Sequence, residues 1–275
     1  MIEAPHNFAA SRAAERQNPP MLSRVVAVAL LTLASRGVAA QPSTVAVAAA
    51  ANLTYAVSAL NDEFSRSAPD TRVTVTLGSS GNLFAQITHG APFDVFLSAD
   101  TNYPRQLIDA QAAVPESLLV FATGRLVLWT ARENLKLDDI AGAIRSPAVA
   151  KVAIAQPAIA PYGRAAVNAL SHLGVYAVAE PKLVVGENIA QTAQFVETGN
   201  ADCGFVALSL LSAGPLARIG RWVEVTPAEY GEVSLDHAAV ITEHGKSNAA
   251  AAGFVAFLRS PAAKRILESY GYRVP

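Results

Sequence analysis

Short runs rich in β-branched residues recur along the chain, at Val45 to Ala49, Val73 to Thr76, Val95 to Ser98, Leu126 to Thr130, Val152 to Ala155, Leu183 to Val185 and Ala238 to Ile241. Between several of them the period changes from strand to helix. Leu53, Ala56, Val57, Leu60 and Phe64 stand at i, i+3, i+4, i+7 and i+11, which is one apolar face of a helix. Alternation of strand, loop, helix and strand predicts an α/β fold, and ligands of such sheets collect at the carboxyl ends of the strands. There is no internal repeat, low-complexity tract or long linker, so a two-lobed arrangement needs short crossings, near Phe121 to Leu126 and near Glu232 to Ala238.

The first forty residues follow a different pattern. From Met21 the chain reads MLSRVVAVALLTLASRGVAA: Arg24, an apolar run from Val25 to Ala34, and small residues at Val38 and Ala40. This is the pattern of a secretory signal with a cut after Ala40, and its apolar run is too short for a membrane span. The segment before Met21 is polar, and Met21 is an alternative start. A lipid anchor needs a cysteine just after the cut. The only one is Cys203, whose neighbours Gly204, Phe205 and Val206 mark it as a buried, inert thiol. The expectation is an exported, unanchored periplasmic protein.

Composition sharpens this by exclusion. Of 275 residues 52% are hydrophobic and 16% charged, which suits a folded core and not a disordered tail. The 21 Lys and Arg balance 22 Asp and Glu, so no overall field favours nucleic acid. Gly245, Lys246 and Ser247 end like a phosphate-binding loop, but Val240 stands where that motif needs glycine. Gly78, Ser79, Ser80 and Gly81 do not have the spacing of a nucleophile elbow. His89, His172, His237 and His244 lack metal-ligand spacing and read as surface or core histidines.

What recurs is a polar group where a strand gives way to a helix. Asn52 follows the first run. Ser79 and Ser80 follow the second, Ala160, Pro161, Tyr162 and Gly163 follow the run at Val152, and Gly186, Glu187, Asn188 and Ile189 follow the run at Leu183. Taken singly, each is explained by helix capping, worth about 1 kcal/mol. Taken together, they admit a second explanation beside capping, helix N-termini that converge and offer unpaired N–H groups to an anion, with no Lys or Arg among the named residues.

Four stretches carry a family likeness: Ala49 to Thr54 (AAANLT), Gly78 to Asp100 (GSSGNLFAQITHGAPFDVFLSAD), Gly124 to Trp129 (GRLVLW) and Ser260 to Tyr272 (SPAAKRILESYGY). They resemble the periplasmic molybdate-binding proteins of ABC importers. The resemblance implies a two-lobed, hinged binding protein of class II with a central sheet in each lobe. Such a protein closes over molybdate or tungstate and delivers it to a membrane permease and its ATPase. It implies a monomer with no cofactor, no metal-cation ligands and no enzymatic step. Carried onto this chain, the ligand donors are Asn52, Ser80, Tyr162 and the backbone N–H of Ile189, with Ser79 and Asn188 beside them. Many members have serine at the position of Asn52, whose amide can still donate. A tyrosine used by some members corresponds here to Ala207, a loss for which the Tyr162 hydroxyl can compensate.

Charge chemistry agrees with this set. Molybdate, tungstate and sulfate are dianions that donors alone can hold, whereas protonated phosphate benefits from an acceptor. Asp94 and Asp100 read as turn or cap residues, and Glu187 as favouring a helix N-terminus from outside the pocket. On this reading residues 41–122 plus 233–275 form the first lobe and residues 123–232 the second, after the signal segment 1–40. The alternatives are a binding protein for another oxyanion such as sulfate, and a secreted hydrolase using Ser79 or Ser80 with His89.

Overall fold

The computed structural model describes residues 43–231 and 233–275; the expected signal segment 1–40 and Glu232, at the edge of the second expected crossing, lie outside the described residues. Among the described residues ten strands are formed: β1 (Ser43–Ala50), β2 (Thr71–Gly78), β3 (Val95–Ser98), β4 (Leu119–Thr123), β5 (Leu126–Thr130), β6 (Val152–Ala155), β7 (Leu183–Gly186), β8 (Cys203–Ala207), β9 (Arg221–Val225) and β10 (Asp236–Ile241). All seven expected strands are among them, some longer by one or two residues at an end. Seven helices have eight or more residues: α1 (Thr54–Ser67), α2 (Ser80–Thr88), α3 (Asn102–Asp109), α4 (Pro161–His172), α5 (Ile189–Glu197), α6 (Ala249–Phe257) and α7 (Pro261–Ser269).

The strands make two five-stranded sheets, in the orders β2-β1-β3-β10-β4 and β7-β6-β8-β5-β9. Each has a parallel part, β2-β1-β3 in one and β7-β6-β8 in the other, and an antiparallel part in which β10 or β5 sits between two neighbours. The parallel strands are joined through helices, as their crossover connections require. This two-sheet α/β arrangement is the expected fold class.

Apolar burial holds each layer. The face of α1 expected from its spacing is the one that packs inward: Ala56, Val57, Leu60 and Phe64 are all buried. The Phe64 ring meets Phe254 of α6 edge to face, with centroids 5.2 Å apart. Full burial of a side chain of this size contributes roughly 1.5–3 kcal/mol. In the second sheet every residue of β5, β6 and β8 is buried, Trp129 and Cys203 included. Burial pushes the Cys203 thiol up to about 12, which keeps it protonated and inert.

The chain passes from the first sheet to the second through Gly124 and Arg125 and returns between β9 and β10. The two crossings are tied together, since the Gly124 N–H donates to the Leu235 carbonyl at 2.9 Å. Beside them, Thr123 and Arg273 exchange backbone hydrogen bonds of 2.7 and 3.0 Å. Gly124 has no room for a side chain, because a Cβ there would lie 2.0 Å from the Tyr162 hydroxyl oxygen.

Candidate functional site

Both sheets send parallel strands toward one crevice. It is a tight crevice lined by Asn52, Ser79, Ser80, Tyr162, Asn188 and Ile189 together with small apolar residues and Gly78. All six residues singled out from the sequence therefore meet, two junctions coming from each sheet. No lining residue carries a charged side chain.

The local chemistry differs from junction to junction. After β2, Ser79 is the N-cap of α2 and its hydroxyl oxygen accepts from the Asn82 N–H at 3.4 Å. Ser80 is 1% exposed and its Oγ accepts from the Ala99 N–H at 3.0 Å, which leaves the hydroxyl hydrogen free to be donated. After β6, α4 opens with Pro161 and has no side-chain cap. After β7, the Asn188 Oδ1 accepts from both Ala190 N–H and Gln191 N–H at 3.0 Å. That amide oxygen is committed to the cap, the role each junction was given when taken singly. The backbone N–H groups of Asn52, Ser80, Tyr162 and Ile189 have no acceptor among the described residues. They sit where helices leave N–H groups unpaired and concentrate partial positive charge.

Asn52 corrects an expectation. Its side-chain amide was expected to donate into the crevice, but Nδ2 bonds His237 Nε2 at 2.6 Å and Tyr272 Oη at 2.7 Å. The orientation follows from His237: its Nδ1 contacts the Leu235 carbonyl at 2.8 Å, so Nδ1 carries the proton and Nε2 must accept. Burial lowers the His237 pKa to about 4, so the ring is neutral near pH 7. Both amide hydrogens are thus spent within the protein, while Oδ1 is buried without a partner. The Asn52 carbonyl also accepts from Ser209 Oγ at 2.9 Å and Tyr272 Oη at 3.0 Å. What Asn52 still offers is its backbone N–H.

The Tyr162 hydroxyl is buried and unpartnered, lying against Gly124 and near the His237 ring. Burial first, and then the nearby Tyr272 and Tyr230, hold its pKa well above the ordinary value, so it stays protonated. Ala207 is buried at the end of β8 and does not line the crevice. Neither serine hydroxyl bonds a histidine among the described residues, and His89 is exposed with Nδ1 on the Ala85 carbonyl.

A model of bacterial extracellular solute-binding proteins matches residues 45–273. The chain belongs to that family. This solute-binding protein is 39% identical over 254 residues to the molybdate-binding protein of Rhodobacter capsulatus, covering 92% of this chain and 97% of that one. It is 40% identical over 235 residues to the molybdate-binding protein of Azotobacter vinelandii, covering 85% and 91%. The solved periplasmic molybdate-binding protein of Azotobacter vinelandii matches with a TM-score of 0.78 at 32% identity, over 84% of this chain and 99% of that chain.

Sequence reasoning missed the shell of this candidate site. His237 and Tyr272, which hold Asn52, lie 185 and 220 positions from it, and no local spacing links them. Asp100 reads as a turn or cap residue and Glu187 as favouring a helix N-terminus from outside the pocket, and Asp100 Oδ1 does accept from the Tyr103 N–H in the first turn of α3 at 3.2 Å. Both also reach across the crevice: Asp100 pairs with Arg164, and Glu187 Oε1 accepts from Asn82 Nδ2 at 2.9 Å.

Proposed function

We propose that the chain is the periplasmic substrate-binding component of an ABC importer and captures molybdate or tungstate. The observation that carries this reading is a crevice lined by four strand-to-helix junctions, two from each sheet, without any charged side chain. The Ser80 hydroxyl and the backbone N–H groups of Asn52, Ser80, Tyr162 and Ile189 are the donors, with Ser79 and Asn188 shaping the two junctions they cap. Oriented dipoles hold a dianion with no counter-ion, and a fully deprotonated oxyanion needs no acceptor. The relatives named as molybdate-binding proteins support the choice of ligand, as does their coverage of nearly the whole chain.

Residues 41–122 plus 233–275 act as one lobe and 123–232 as the other, with Gly124–Arg125 and 226–235 as the hinge. Donors from both lobes meet one ligand only when the lobes close, so binding selects the closed state. Residues 1–40 direct export and are removed. The mature monomer carries no anchor and no resident cofactor, catalyses no covalent step, and releases its oxyanion to the permease and its ATPase.

Calorimetric titration of residues 41–275 with molybdate, tungstate, sulfate and phosphate tests the reading. Saturable binding of the two metal oxyanions with little or no heat from phosphate is expected. Absence of molybdate and tungstate binding, or equal affinity for all four, overturns it.

A further inference from the structure

The crevice is spanned by a clasp in which no group is one of the proposed donors. Arg164, on α4 two residues after Tyr162, places Nη2 2.6 Å from Asp100 Oδ2. Asp100 lies beyond the end of β3, beside Ala99, whose N–H bonds the Ser80 hydroxyl. The Arg164 guanidinium also lies 5.5 Å from the centroid of the Tyr103 ring, with Nη1 3.4 Å from its hydroxyl, and that hydroxyl donates to the Ala158 carbonyl at 3.5 Å. A backbone bond closes the same edge, from the Gly81 N–H to the Ile159 carbonyl at 2.8 Å. The two charges are unequally exposed, at 30% of the Arg164 side chain and 2% of the Asp100 side chain.

We infer that Arg164 and Asp100 are a positioning pair that holds the two halves of the site shut over the ligand and governs its release, while cancelling each other's charge beside a neutral pocket. The inference rests on the oxyanion-binding reading. Asp100 is fixed from its own side by the Ser98 hydroxyl at 3.1 Å and by the Tyr103 N–H, so it is a rigid anchor for an arm from the other sheet. Closure forms the pair and opening breaks it, so its energy adds to the closed state alone. The consequences of losing each partner differ. Without Arg164, a buried carboxylate remains unpaired close to where a dianion binds, and repulsion adds to the lost tie. Without the Asp100 charge, a partly exposed cation remains, which attracts the anion and offsets part of the loss.

The test is stopped-flow release of molybdate from the mature chain. Arg164→Gln is expected to speed dissociation about a hundredfold, Asp100→Asn about threefold, and the neutral double variant about tenfold, each with little change in association rate. Arg164→Lys retains the charge but not the planar fork and falls between parent and Arg164→Gln. The double variant leaves no buried orphan charge and so guards against misfolding of the single ones. Release from the double variant at the parental rate, or Asp100→Asn releasing as fast as Arg164→Gln, overturns the inference. A parent that binds neither metal oxyanion fails the functional reading instead. The clasp is then judged on the ligand-free chain: a double variant more extended than the parent in X-ray scattering supports it, and identical profiles overturn it.

Discussion

Asn52 and Ser80 occupy equivalent places, each just past a parallel strand of the same sheet, each 1% exposed and each lining the crevice. They nevertheless have opposite roles. The hydrogens of the Asn52 amide are both consumed by His237 and Tyr272, so the side chain braces the wall. Ser80 accepts from Ala99 and keeps its own hydrogen for a guest. A polar residue at the right position is therefore a donor only if its neighbours have not already claimed its hydrogens.

This contrast can be broken at its larger end first. Asn52→Ala should cost about 3 kcal/mol of stability, because the buried Nε2 of His237 loses its donor and Tyr272 loses a partner. Urea unfolding of the ligand-free chain measures it, and an unchanged midpoint would return Asn52 to the role of side-chain donor. Next comes pH. The folded pKa of His237 is about 4, below its unfolded value of 6.5, so the unfolded chain gains a proton first as pH falls. The contribution is complete above pH 6.5 and is lost progressively down to about pH 4, on the order of 3 kcal/mol in all. Melting curves across that window should show the slope, and His237→Gln should flatten it.

Ser80→Ala should act the other way, lowering molybdate affinity by roughly 1–3 kcal/mol with a smaller effect on ligand-free stability. Calorimetry beside the same unfolding curves separates the two. The smallest expected effect is at Asn188, whose replacement by alanine removes a cap worth about 1 kcal/mol and leaves affinity nearly unchanged. A loss of affinity larger than the loss of stability would make Asn188 a donor in its own right.

Much of the fold was legible because period and punctuation agree. The runs at Val95, Leu126 and Val152 become strands with the expected bounds. The missed strands lack those signals. β4 is separated from β5 only by Gly124 and Arg125, so the two merge into one apolar stretch. β8 is short and begins Cys-Gly, while β9 mixes charged and apolar residues without a strict alternation at a sheet edge, with Trp222 45% exposed. The site was legible to the same depth. Strand-to-helix junctions are local and can be read, but what each side chain bonds to is decided by segments brought together only on folding. The Asp100–Arg164 pair, 64 positions apart, is another case.

The bracing of Asn52 also restricts how this chain can drift. Its amide, the His237 ring and the Tyr272 hydroxyl form one fitted set drawn from three remote stretches. A replacement at any one of the three strands the other two. Among descendants of a common ancestor, positions 52, 237 and 272 should accordingly change in concert, and a lineage that swaps the asparagine for a shorter hydroxyl should carry a compensating change at one of its two distant neighbours.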